Sequence, residues 1–102
     1  MSQPFVDLGE IERARDAIAS TVRMTPVNVS SSLSDLAGVP VHLKLEHTQL
    51  TGSFKLRGAT NAVASLSDAE KSRGVAGVST GNHGRGLAYA ARAAGVKCII
   101  CM

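Results

Sequence analysis

The chain has 102 residues, enough for about one small domain. Val, Ile, Leu and Ala carry the hydrophobicity beside ten glycines, a balance that suits an α/β domain and not a disordered chain. The net charge of +3 is spread over mixed stretches such as Glu10 to Asp16, with no Trp, one Tyr and two Phe. The basic stripe and stacking aromatics of a nucleic-acid surface are missing, so no nucleic-acid partner is expected.

No apolar run approaches the ~20 residues needed to span a bilayer, and no membrane partner is expected. Residues 1–10 lack a basic region followed by an apolar stretch, so no secretory leader is expected and a cytoplasmic location is the default. Cys98-Ile99-Ile100-Cys101 offers a redox or zinc reading, but two small buried strand residues are preferred. Positions three apart on a strand point to opposite faces, and zinc wants four ligands, so no metal is expected.

Taken in chain order, Ile11, Ala14 and Ile18 recur at helical spacing after Asp7, which predicts a capped helix over about 8–20. Thr25-Pro26 breaks it and sends the chain into an extended stretch. A short helix through Leu33 to Ala37 should end at Gly38. Val41, Leu43 and Leu45 alternate with His42, Lys44 and Glu46, predicting a half-buried strand. After a polar loop, Ser53 is a good cap for a helix from Phe54 to about Leu66. Ser67 and Glu70 have the spacing of a capping box. A short strand over 74–79, a tight loop, an Ala-rich helix over 85–94 and an apolar strand over 96–102 complete the order. Strands alternating with helices predict parallel pairing in an α/β fold. Lys97 to Met102 stops inside a strand that parallel sheets normally bury on both faces. The expectation is therefore a fragment of a longer protein, inactive alone or joined to a complementary chain.

Two segments carry chemistry. In Thr51-Gly52-Ser53-Phe54-Lys55-Leu56-Arg57-Gly58-Ala59 a lysine stands at a helix start, where the partly positive helix end disfavours a cation. Such an end, together with desolvation, favours a neutral nucleophilic amine. On these residues alone, a solvated surface lysine is the competing reading. In Val78-Ser79-Thr80-Gly81-Asn82-His83-Gly84-Arg85-Gly86 a strand turns into a helix. Backbone N–H groups there can receive a carboxylate or phosphate, or the segment is a plain structural turn. Its glycine spacing is neither the dinucleotide fingerprint nor the P-loop. A nucleotide-binding α/β module rests only on this strand–turn–helix.

Taken together, Ser53-Phe54-Lys55-Leu56-Arg57-Gly58-Ala59 and Ser79-Thr80-Gly81-Asn82-His83 resemble the signature pair of the fold-type II pyridoxal-phosphate enzymes, particularly the threonine/serine dehydratases. Thr25-Pro26, Lys44-Leu45-Glu46 and Gln49 resemble the family in order and spacing as well. The resemblance implies an incomplete three-layer α/β/α fold, similar to the tryptophan synthase β chain. Residues 1–73 would begin the large cofactor domain, and residues 74–102 would begin the small one. It also implies pyridoxal 5'-phosphate as cofactor and catalytic Lys55 holding it covalently through its amine. Phe54 would lie near the pyridine ring, and Asn82 would hydrogen-bond the ring's 3-hydroxyl oxygen. Ser79, Thr80, Gly81, Asn82 and His83 would receive the substrate carboxylate. His83 gains no acid/base role, and a hydrogen-bonded turn histidine stays open for it.

The implied activity is a lyase that turns a threonine- or serine-like β-hydroxy amino acid into a 2-oxo acid and ammonia, in a full-length homo-oligomer. In serine racemase a serine hydroxyl at the Thr80 position serves as the second-face acid/base, so racemisation stays open. The loop continues Gly84-Arg85-Gly86 where Ala-Gln-Gly is commoner. These runs look closest to the dehydratases of hydroxyectoine utilisation. The family's phosphate cradle and its partner for the pyridine nitrogen fall outside this sequence.

Overall fold

The computed structural model describes residues 5–102. Residues 1–4, part of the stretch read for a leader, lie outside the described residues. Helix α1 (Leu8–Ile18) starts as expected at Asp7. The Asp7 carboxylate accepts from Glu10 N at 2.7 Å, and Glu10 accepts from Asp7 N at 3.0 Å, so two otherwise orphaned donors are satisfied reciprocally. Strand β1 (Val27–Val29) leads through α2 (Ser31–Ala37) to β2 (His42–Lys44). Ser30 caps α2, and Gly38 ends it with φ +70°, a left-handed conformation that suits glycine.

The first pair of strands departs from expectation twice. β1 and β2 run antiparallel, with Val27 opposite Lys44, Asn28 opposite Leu43 and Val29 opposite His42. All their residues are exposed, so the alternation around Leu43 marks no buried face among the described residues. The parallel expectation is not met by this pair, and it holds for β3 and β4.

A 3-10 turn (Glu46–Thr48) leads to α3 (Lys55–Ala64), α4 (Asp68–Arg73), β3 (Val75–Val78), α5 (Asn82–Ala93) and β4 (Cys98–Cys101). Helix α3 begins one residue after the predicted start. Phe54 occupies the cap position, while Ser53 accepts weakly from Lys55 N at 3.4 Å. The Ser67–Glu70 capping box opens α4 as predicted. β3 and β4 pair in parallel across α5, Val75 with Cys98 through Val78 with Cys101. That is the right length of crossover for parallel pairing.

Leu56, Ala59 and Val63 of α3 meet Leu87, Ala90 and Ala91 of α5, with Val96 beside them. The three-and-four spacing on α3 puts its buried residues on one stripe. Val75, Cys98 and Ile100 pack against this core. The alternate residues Ala76, Val78, Ile99 and Cys101 face away from it and are exposed. Cys98 and Cys101 thus lie on opposite faces. No helix among the described residues is long and apolar enough to cross a membrane.

Candidate active site

The start of α3 is held in place by polar side chains. Arg57 donates to both carboxylate oxygens of Glu46, Nε to Oε2 at 2.9 Å and Nη2 to Oε1 at 2.7 Å. This two-pronged geometry fixes orientation as well as distance. The Thr25 hydroxyl donates to Glu46 Oε1 at 2.5 Å, and Lys44 Nζ donates to the Thr25 carbonyl at 2.7 Å. Buried Gln49 completes the join: its amide nitrogen donates to Arg23 O, and its oxygen accepts from Arg23 N, each at 2.8 Å. The hydrogen bonds from Arg57 hold the Glu46 carboxyl at about 2, against an ordinary value of 4.5, although burial pushes the other way. Glu46 in turn raises the pKa of Arg57.

On its other side, α3 touches α5. A Cβ built on Gly86 would sit 3.1 Å from Leu56 N and Lys55 C, and 3.2 Å from Lys55 O. The backbone of α5 therefore rests directly on the peptide that follows Lys55.

Lys55 is the first residue of α3 and is exposed, its Nζ 5.4 Å from the centroid of the Phe54 ring. A cleft of about 330 Å³ is lined by Phe54, Lys55, Gly58, Ala59, Ala62, His83 and Leu87. The two sequence segments thus meet here, Lys55 and Phe54 from one and His83 from the other. Ser79, Thr80, Gly81 and Asn82 stand beside the cleft without lining it.

Ser79 N donates to Cys101 O at 3.0 Å, carrying the β3–β4 ladder up to the loop. Ser79 Oγ accepts from Gly81 N at 3.2 Å, which ties the turn down. Asn82 opens α5, and no side chain caps that helix at Gly81. Its first-turn N–H groups are left to face an acceptor from elsewhere, the physical requirement for an anion site.

Two parts of this arrangement had no reading in the sequence. Glu46 and Arg57 sit on different elements, and nothing local announces that they pair. Gly86 gave only one hint: a glycine inside an otherwise Ala-rich helix.

The residues fit pyridoxal phosphate. A primary amine suits its aldehyde, and Phe54 with Ala59, Ala62 and Leu87 offers apolar surface to a flat ring. The cleft volume falls within the range of small-ligand sites. The space where a Gly58 side chain would stand is open.

Residues 18–102 match the family described as pyridoxal-phosphate dependent enzyme, and the chain belongs to that family. Its neighbours among solved structures share the fold-type II architecture. A protein of Sinorhizobium fredii, whose name provisionally assigns it as a threonine dehydratase, is 57% identical over 97 residues. That alignment covers 95% of this chain and 29% of the relative. A catabolic L-threonine dehydratase of Staphylococcus aureus is 45% identical, over 96% of this chain and 29% of its own length. The crystal structure of serine racemase from Dictyostelium discoideum superposes with a TM-score of 0.86 at 44% identity, over 93% of this chain and 31% of that one. The chain spans about 29% of the length of the curated relatives it matches.

Proposed function

We propose that the protein serves a pyridoxal-phosphate dependent ammonia-lyase that converts a threonine- or serine-like β-hydroxy amino acid into a 2-oxo acid and ammonia. The observation that carries this reading is the shared cleft, in which the Lys55 amine and the His83 end of the Ser79–His83 loop face one space. When bound, pyridoxal phosphate supplies an aldehyde for an amine and an electron sink for the substrate's α-carbon.

The residues of this chain divide the remaining work. Lys55 Nζ would hold the cofactor through its aldehyde and, when free of it, would take the proton from the substrate's α-carbon. Phe54 would lie near the cofactor's ring, and Asn82 would hydrogen-bond its 3-hydroxyl oxygen. Ser79, Thr80, Gly81, Asn82 and His83 receive the substrate carboxylate, where the uncapped start of α5 supports an anion. Fixing the carboxylate fixes which bond at the α-carbon faces Lys55, the usual gain from orienting a reactant. The net reaction would remove the β-hydroxyl as water, take one water back on hydrolysis, and leave a 2-oxo acid and ammonia.

Residues 1–73 we assign to the leading part of a large cofactor domain and 74–102 to the start of a smaller one. The substrate subclass follows the resemblance to hydroxyectoine-utilisation dehydratases, and the working form is a cytoplasmic homo-oligomer. A second reading, amino-acid racemisation, is favoured by the hydroxyl of Thr80 and by the likeness to serine racemase.

Assay of the full-length protein with L-threonine and L-serine separates the two readings. Release of 2-oxo acid and ammonia supports the lyase, and D-amino acid without ammonia supports the racemase. Replacing Lys55 with Ala should abolish both the cofactor's covalent attachment and turnover. Unchanged cofactor absorbance and turnover in that variant would end the assignment.

A further inference from the structure

We propose that Gly86 is a positioning residue: its bare backbone lets α5 rest on the Lys55–Leu56 peptide and so sets the separation of Lys55 from His83. The proposal rests on the reading of Lys55 as the cofactor lysine. Four observations carry it.

First, a Cβ at Gly86 would lie 3.1–3.2 Å from three backbone atoms of Lys55 and Leu56. Backbone cannot swing aside as the end of a long side chain can, so the helices must part by a few tenths of an ångström. Second, the glycine is costly where it stands. Glycine inside a helix is less favourable than alanine, and the same helix uses Ala88, Ala90, Ala91 and Ala93 elsewhere. Gly58 and Gly81 contrast with it, because the ideal Cβ of each meets nothing within 4 Å.

Third, His83, Gly86 and Leu87 share one face of α5, being three and four residues apart. His83 and Leu87 both line the cleft that holds Lys55. Bulk at position 86 therefore acts along the line that separates the two halves of the site. Fourth, α3 cannot simply retreat. Leu56 is fully buried, and Arg57 is tied to Glu46 by two hydrogen bonds. Widening of the cleft is the remaining response.

The test compares full-length wild type, Gly86→Ala and Val63→Ala. Val63 is buried in the same helix pair but lies away from the cleft, so its truncation loosens packing without pressing on Lys55. Pyridoxal phosphate affinity, the absorbance band of the bound cofactor and the lysine carrying it after borohydride reduction are measured on each. Gly86→Ala should weaken cofactor affinity by about tenfold, the scale of the small strain that overpacking introduces. It should also move the absorbance band, while Val63→Ala keeps the wild-type band. A Gly86→Ala protein with wild-type affinity and band would overturn the proposal alone. A wild-type protein labelled at a lysine other than Lys55 would overturn the reading of Lys55, and the proposal with it. If circular dichroism shows Gly86→Ala unfolded, the comparison is repeated in trimethylamine N-oxide, which favours compact states. Wild-type affinity and band in the refolded variant would again overturn the proposal.

Discussion

Lys55 and Phe54 occupy the two positions that open α3, with the amine held over the ring at 5.4 Å. A cation over an exposed ring is stabilised by about 0.5–1 kcal/mol, enough to bias where the amine rests and too little to lock it there. Lys55 can thus leave the ring for a partner in the cleft. A different residue-scale feature lies inside the same helix. Thr60 is buried, and its hydroxyl has no hydrogen-bond partner among the described residues. Valine has nearly the same shape without the unsatisfied group. Thr60→Val should therefore raise stability by about 1 kcal/mol, read as a higher midpoint in urea. A lower midpoint would show that the hydroxyl has a partner.

At the scale of elements, the Glu46–Arg57 pair ties α3 to the 3-10 turn and, through Thr25, to the segment after α1. Glu46→Gln should cost about 1–2 kcal/mol at pH 7, less than breaking a fully buried pair, because Arg57 keeps 32% of its side chain exposed. The pH dependence has a definite sign. The folded-state pKa of Glu46 is depressed to about 2 from 4.5, so its contribution is present above 4.5 and is lost as pH falls towards 2. Thermal melts across that window should show wild type losing stability that Glu46→Gln has already lost. Parallel curves for the two proteins would count against the pair.

Several elements were legible because their signals are local. The Asp7–Glu10 and Ser67–Glu70 boxes close within one helical turn, and Gly38 ends α2 by its own conformation. The β1–β2 pairing was not legible. His42 to Lys44 alternates as a half-buried strand would, yet burial depends on what packs against it, and its direction depends on a partner strand outside its own stretch. The candidate site divides in the same way. Lys55 and the Ser79–His83 loop are contiguous motifs, whereas the Gly86 contact exists only once α3 and α5 have docked, and the Arg57 clamp only once α3 has met the 3-10 turn.

For the whole molecule, stability rests on the α3–α5 contact. Leu56 is fully buried at its centre, so Leu56→Ala in the 102-residue chain should cost about 2–5 kcal/mol. Val78, equally apolar but 83% exposed on the open face of β3, should tolerate Val78→Ser within about 0.5 kcal/mol. Chemical denaturation of both variants checks the contrast, and equal losses would place the core elsewhere. The same contact joins stability to chemistry, since the helices that bury Leu56 also bring Lys55 and His83 to one cleft.

The most direct test of the account asks which lysine takes the cofactor. The protein is mixed with pyridoxal phosphate, reduced with borohydride and mapped by mass spectrometry. A pyridoxyl group is expected on Lys55 and not on Lys44, Lys71 or Lys97. Labelling spread evenly over these lysines, or concentrated on one of the others, would contradict it.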